Sequence, residues 1–137
     1  MKSKLPSRPL EFHLDMHSGV PVYRQIIDQV RGGLAAGRLS PGVQLPTVRQ
    51  LAVDLAINPN TVLRAYRELE LGGLLETQQG TGTFLTQKKV EKDEAERERQ
   101  LAQLVGEIVS RAGAAGFTIE DLLGQLRELV PDRGPRR

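Results

Sequence analysis

The apolar positions of the chain recur with helical spacing in five stretches and run consecutively in two short ones. Tyr23, Ile26 or Ile27, Val30 and Leu34 form a stripe at three- and four-residue intervals. This predicts an amphipathic helix that begins near Pro21 and stops at Gly37. Leu39-Ser40-Pro41-Gly42 then reads as a turn. A short second helix follows, with Thr47 as N-cap, Gln50 three residues on, and Leu51, Ala52 and Leu55 facing inward. Ile57-Asn58-Pro59 ends it, because the residue before a proline avoids the α region. The third helix starts at once, since Asn58 can cap and Pro59 fits the first helical position. At about 100° per residue, Val62, Ala65, Tyr66 and Leu69 share one face, and Asn60, Arg64 and Arg67 share the opposite one. Gly72-Gly73 stops this helix. Leu74–Gln78 and Thr83–Thr86 are β-prone runs, and Gln79-Gly80-Thr81-Gly82 between them predicts a hairpin turn of about four residues.

The remainder is helical again. Lys88 to Gln100 alternates charges densely and reads as a solvated helix laced by i,i+4 pairs. It then becomes amphipathic, with Leu101, Leu104, Val105, Ile108, Val109 and Ala112 on one stripe. Gly113-Ala114-Ala115-Gly116 predicts a turn. Thr118 with Asp121 caps a last helix that carries Leu122, Leu123, Leu126, Leu129 and Val130 and ends at Pro131. At the other end, Phe12 and Leu14 alternate around His13, compatible with one brief edge strand in an otherwise irregular stretch over residues 1–20. The expected fold is mainly α with a small β-hairpin. Its organisation is a flexible arm over 1–10, a three-helix-and-hairpin domain over 11–86, and a two-helix segment with a frayed tail over 87–137.

Composition narrows the function. At 137 residues the chain is too short for a barrel of eight βα units, which needs about 250. Hydrophobic residues at 39% and charged ones at 26% fit a folded protein. There is no cysteine, hence no disulfide, thiolate zinc site or cysteine nucleophile. No run of about 18 apolar residues exists, and prolines and charges interrupt any signal-peptide core, so the expected location is cytoplasmic. The net charge of +2 is a weak pointer to nucleic acid. It lies wholly in residues 1–87, with 9 basic against 7 acidic side chains, while residues 88–137 balance at 10 and 10.

The arrangement of the helices is more telling than the charge. Two helices joined by a tight turn, the second capped and basic on its outer face, form a helix-turn-helix pattern. The hairpin after it, with a glycine-rich tip, has the place of a wing. Arg64 and Arg67 can pair with phosphates or guanine, and Asn60 can offer its amide to adenine or phosphate. A tip of Gly80 and Gly82 lets backbone approach a phosphate closely. Arg49, near the start of the second helix, adds a planar fork beside the turn.

Several runs carry a family resemblance: Pro21-Val22-Tyr23-Arg24-Gln25-Ile26, Gly37-Arg38-Leu39 with Pro41-Gly42, and Leu45-Pro46-Thr47-Val48-Arg49-Gln50-Leu51-Ala52. Asn58-Pro59-Asn60-Thr61-Val62 with Arg64-Ala65-Tyr66, Leu69-Glu70, Gly72, and Gly80-Thr81-Gly82-Thr83-Phe84 continue it. Over about residues 10–86 the chain resembles the N-terminal domain of GntR-family transcription regulators, and its third helix and short C-terminal part resemble the YtrA branch. The resemblance implies a winged helix-turn-helix regulator, a repressor, that binds a pseudo-palindromic operator in double-stranded DNA as a homodimer. It maps DNA contact onto Arg49 with Thr47 beside it, onto Asn58, Pro59, Asn60 and Thr61, and onto the wing tip at Gln79 and Gly80. With Arg64, Arg67, Thr81 and Gly82 these make up the candidate DNA-binding set. Some members carry a base-reading arginine where Pro59 stands here, so base readout shifts to Asn58, Asn60, Arg49 or Arg64.

Two amphipathic helices cannot enclose their own apolar stripes. Leu101, Leu104, Val105, Ile108, Val109, Ala112, Leu122, Leu123, Leu126 and Leu129 are therefore expected to pair with the same helices of a second chain. About 50 residues leave little room for an effector pocket of about 300 Å³ or more. No P-loop or nucleophile elbow occurs, so no enzymatic activity, cofactor or metal is expected. His13 and His17 lie at i,i+4 but lack convergent ligands. The other reading compatible with these elements is a helical dimeric adaptor whose winged domain binds protein rather than DNA. Steep salt dependence of binding separates the two.

Overall fold

A computed structural model of the protein describes residues 11–87 and 93–131. The expected flexible arm at 1–10, the frayed tail from Asp132 onward and the charges at Lys88, Lys89, Glu91 and Lys92 lie outside them. The chain divides into two compact units, Met1–Lys88 and Lys89–Arg137.

In the first unit, α1 (Val22–Ala36) is followed by β1 (Gln44–Leu45), α2 (Val48–Leu55), α3 (Pro59–Leu71), β2 (Leu75–Gln78) and β3 (Gly82–Leu85). Pro21 is the N-cap of α1 rather than its first helical residue, and Gly37 closes that helix at φ +83°. The three strands form an antiparallel sheet in the order β1-β3-β2. β2 and β3 pair from Leu75 with Leu85 to Gln78 with Gly82. The connection is thus Gln79-Gly80-Thr81, one residue shorter than expected, because Gly82 belongs to the ladder.

β1 is an addition to the expected hairpin. Gln44 pairs with Phe84 and Leu45 with Thr83, flanked by Gly42 N–H to Leu85 C=O and Leu85 N–H to Val43 C=O, both at 2.8 Å. A strand of two residues has no periodicity to detect. Only the approach of β3 makes it one.

The core lies where α1 and α2 pack on α3 and α3 on β2. Ile26, Ile27, Val30, Val62, Leu69 and Leu85 are fully buried, joined by Leu39, Leu45, Leu51, Ala52, Ala65, Tyr66 and Leu75. The expected inward face of α3, Val62, Ala65, Tyr66 and Leu69, is its buried face. Leu51 and Ala52 of α2 are buried as expected, whereas Leu55 is half-buried.

The expected edge strand at Phe12–Leu14 does not form; these residues have no strand pairing. Phe12 and Leu14 pack against the core instead, and side chains of α1 supply what a neighbouring strand would. Gln29 accepts from His13 N–H at 2.9 Å and donates to His13 C=O at 2.7 Å. Gln25 accepts from Asp15 N–H at 2.8 Å and donates to Asp15 C=O at 2.9 Å. Four residues of helix rise about 6 Å and two extended residues about 6.7 Å, so amides four apart on α1 match alternate residues of an extended chain. Gln25, a buried polar side chain, also donates to Val20 C=O at 2.9 Å, which satisfies its amide.

The second unit holds α4 (Glu94–Ala114) and α5 (Ile119–Leu129). α4 runs through Gly113, so the expected four-residue turn contributes only its second half. Thr118 and Asp121 form a reciprocal capping box on α5: Asp121 N–H donates to Thr118 Oγ1 at 3.1 Å and Thr118 N–H to Asp121 Oδ2 at 2.9 Å. Within the charged stretch, Arg99 pairs with Glu96 at i,i+3. The apolar stripe is largely uncovered. Leu101, Leu104, Val105 and Ile108 are 45–57% exposed, and Leu123, Leu126 and Leu129 are 41–56% exposed. Within the chain Ala112 is buried, and Val109 and Leu122 are half-buried. Phe117, Ile119 and Val130 extend the exposed set. Phe117 and Ile119 come from the connection and the first turn of α5, where no helical stripe announces them.

Candidate nucleic-acid interface

Three features of the first unit carry the candidate residues: the start of α2, the start and outer face of α3, and the β2–β3 tip. Thr47 caps α2, its hydroxyl accepting from Gln50 N–H at 3.0 Å. The capping box is one-sided, because the Gln50 amide turns away to Asp54 at 2.8 Å. That bond engages one oxygen of Asp54, the acidic residue nearest to Arg49 in the sequence. Arg49 is exposed, and among the described residues it makes no hydrogen bond or ion pair.

Asn58 caps α3 by accepting from Asn60 N–H at 2.8 Å. That bond uses one of the two lone pairs of its side-chain oxygen, and the amide NH2 is left as a donor. Asn60 is exposed beside it, and Thr61 is half-buried. In the first turn of α3, Pro59 has no N–H and the N–H groups of Asn60 and Thr61 both bond to Asn58, so what favours an anion there is the helix dipole and not open backbone donors. Arg67 is exposed on the outer face with no ion pair among the described residues.

Arg64 differs from the other arginines of this surface. Its guanidinium lies over the Tyr23 ring, 3.7 Å from the centroid, and 3.7 Å from the Glu68 carboxylate. Residue spacing put Arg64 on the outer face with Asn60 and Arg67. The structure shows its head group held between α1 and the next turn of α3, a cation–π contact that helical spacing cannot reveal. Tyr23 is thus a residue of this surface that sequence reasoning missed, as it lies 41 positions away and was assigned to packing.

At the tip, Gln79, Gly80 and Thr81 are exposed, while Gly82 is half-covered inside the ladder. Gly82 has φ +140°, and a Cβ there would collide with the Gln44 amide. That amide donates to Thr81 C=O at 3.2 Å, bracing the tip from β1. No Lys or Arg occurs from Leu75 to Thr86, so this hairpin offers backbone groups and the Gln79 amide, not charge. Behind the surface, the Tyr66 hydroxyl donates to Pro46 C=O at 2.7 Å. Burial pushes the phenol well above the ordinary tyrosine range, so it remains a protonated donor.

Among the described residues, no three His, Cys, Asp or Glu side chains come together to hold a metal ion. His13 approaches Glu11 at 4.0 Å. Among the described residues, no helix is long and apolar enough to cross a membrane.

Residues 22–85 match the family described as "Bacterial regulatory proteins, gntR family". The HTH-type transcriptional repressor YtrA of Bacillus subtilis is 34% identical over 119 residues, which is 87% of this chain and 92% of that protein. The HTH-type transcriptional regulator Rv1152 of Mycobacterium tuberculosis is 40% identical, covering 87% of this chain and 93% of its own length. Among solved structures, YtrA from Sulfolobus acidocaldarius, a GntR-family transcription factor, superposes with a TM-score of 0.55 at 31% identity, over 75% of this chain and 97% of that one.

Proposed function

The chain belongs to the GntR family of bacterial DNA-binding transcription regulators, which are not enzymes, and from that premise we propose that it is a repressor gripping a pseudo-palindromic operator as a homodimer. The observation that carries this reading is the joint exposure of Arg49, Asn60 and Arg67 at the capped starts and outer face of adjoining helices, beside a glycine tip. Phosphate contacts supply affinity, and side chains at base edges supply sequence choice. Arg49 and Asn60 are assigned to bases, with Asn58 contributing its amide NH2. Arg67 is assigned to phosphate, and Gln79, Gly80 and Thr81 to the flanking backbone. Arg64 is given a supporting role, since its contacts with Tyr23 and Glu68 would be lost on reaching a groove. Repression agrees with the name of the Bacillus subtilis relative. The exposed stripe of α4 and α5 is assigned to the homodimer, and the place of action to the cytoplasm.

The test begins with selection of duplexes from a random-sequence pool by the full chain, followed by footprinting. Arg49→Ala is expected to cost about 1–3 kcal/mol on the selected duplex, roughly tenfold to over a hundredfold, with the fold intact by circular dichroism. Unchanged affinity sinks the assignment of Arg49. Binding indifferent to salt between low and physiological concentration sinks DNA recognition itself, because phosphate neutralisation releases counterions.

A further inference from the structure

Reading one DNA site with two helices requires that their relative position be fixed. Arg49 belongs to α2, and Asn60 and Arg67 to α3. The first backbone bond of α2 runs from Leu51 N–H to Thr47 C=O, so the carbonyl of Pro46, one residue earlier, has no role in that helix. Its partner is the Tyr66 hydroxyl at 2.7 Å, reached from α3 across 20 positions of chain. Tyr66 is 5% exposed and therefore has no route to DNA. Its ring fills the core between the two helices, and a phenylalanine would fill nearly the same volume. Burying a hydroxyl costs free energy unless it is hydrogen-bonded, so packing alone gives no reason for tyrosine here. The oxygen earns its place by what it holds. It holds the peptide from which Thr47 and the Arg49 turn of α2 extend.

We propose that Tyr66 is a positioning residue for DNA recognition: through the Pro46 carbonyl it sets where Arg49 stands relative to Asn60 and Arg67, and so sharpens discrimination between cognate and other duplexes. The inference rests on the reading that Arg49 and α3 contact DNA. Tyr66 neighbours Arg67 in sequence but is buried where Arg67 is exposed, so it acts on the reading surface from behind.

The experiment compares the full-length wild type, Tyr66→Phe, Arg49→Ala and the double variant. Each is titrated against a duplex selected from a random pool and against a scrambled duplex of equal length. Tyr66→Phe is expected to weaken binding to the selected duplex roughly three- to tenfold, with little change on the scrambled one. Its salt slope should match the wild type, since no phosphate contact is removed. In the Arg49→Ala background, Tyr66→Phe should have little further effect, because the group it positions is gone. A loss equal on both duplexes, or one that adds fully to that of Arg49→Ala, means a merely structural hydroxyl and overturns the proposal. So does unchanged affinity of Tyr66→Phe where Arg49→Ala binds poorly; that outcome leaves the DNA-contact reading standing. Unchanged affinity of Arg49→Ala overturns both.

Discussion

The two units solve the burial problem differently. In the first, the stripes of α1, α2 and α3 and the inner side of a three-stranded sheet close on one another, leaving Ile26, Val30, Val62 and Leu69 with no exposure. In the second, two helices carry stripes of comparable length, yet within the unit only Ala112 is buried among the described residues. A helix pair has one mutual seam, and an amphipathic stripe about 100° wide or more outruns it. Three helices with a sheet can surround a volume; two helices can only touch. The first unit therefore has a core of its own, and the second leaves its apolar stripe exposed. Under the proposed function, a second copy covers that stripe.

The largest expected effect breaks this contrast at its weaker side. Val105→Glu with Ile108→Glu places two carboxylates in the exposed stripe and should convert the dimer to monomers in sedimentation, weakening operator binding with it. A variant that still sediments as a dimer would falsify the assignment of this stripe. Next, the contrast is sharpened inside the first unit. Leu69→Ala should cost about 2–5 kcal/mol by opening a cavity in a fully packed site. Leu71→Ala, two positions on and 89% exposed, should change stability by less than about 0.5 kcal/mol. Denaturant melts of the two variants compare them directly, and similar losses would mean that α3 is not packed as described. The smallest effect concerns the second unit's own order. Thr118→Ala removes one arm of the capping box and should cost about 1 kcal/mol, visible as reduced protection of the Asp121 amide in hydrogen exchange. Unchanged protection would show that the box contributes little to α5.

The readings that hold from sequence are those set by near neighbours. Thr47, Asn58 and Thr118 cap their helices because a short polar side chain meets an N–H two or three residues on. The core face of α3 follows from helical spacing alone. The readings that changed involve residues distant in the chain. Phe12–Leu14 alternate like a strand, yet the backbone partners of His13 and Asp15 are the Gln29 and Gln25 amides of α1. Arg64 shares a helical face with Arg67, yet the Tyr23 ring takes its guanidinium. Gln44–Leu45 show no pattern, yet β3 makes them a strand.

By itself, then, the sequence determined the order of the elements, their caps and which helical faces turn inward, because these depend on backbone and side-chain chemistry within a few residues. It also carried the spacing of Thr47, Arg49, Asn58 and Asn60 by which the family is recognised. Only the tertiary structure decided that the Tyr23 ring takes the Arg64 guanidinium, that Gln44 braces the tip, and that one phenol joins α3 to the start of α2. Each of these is a contact between atoms far apart in the chain, and such contacts exist only once the core has brought the helices together.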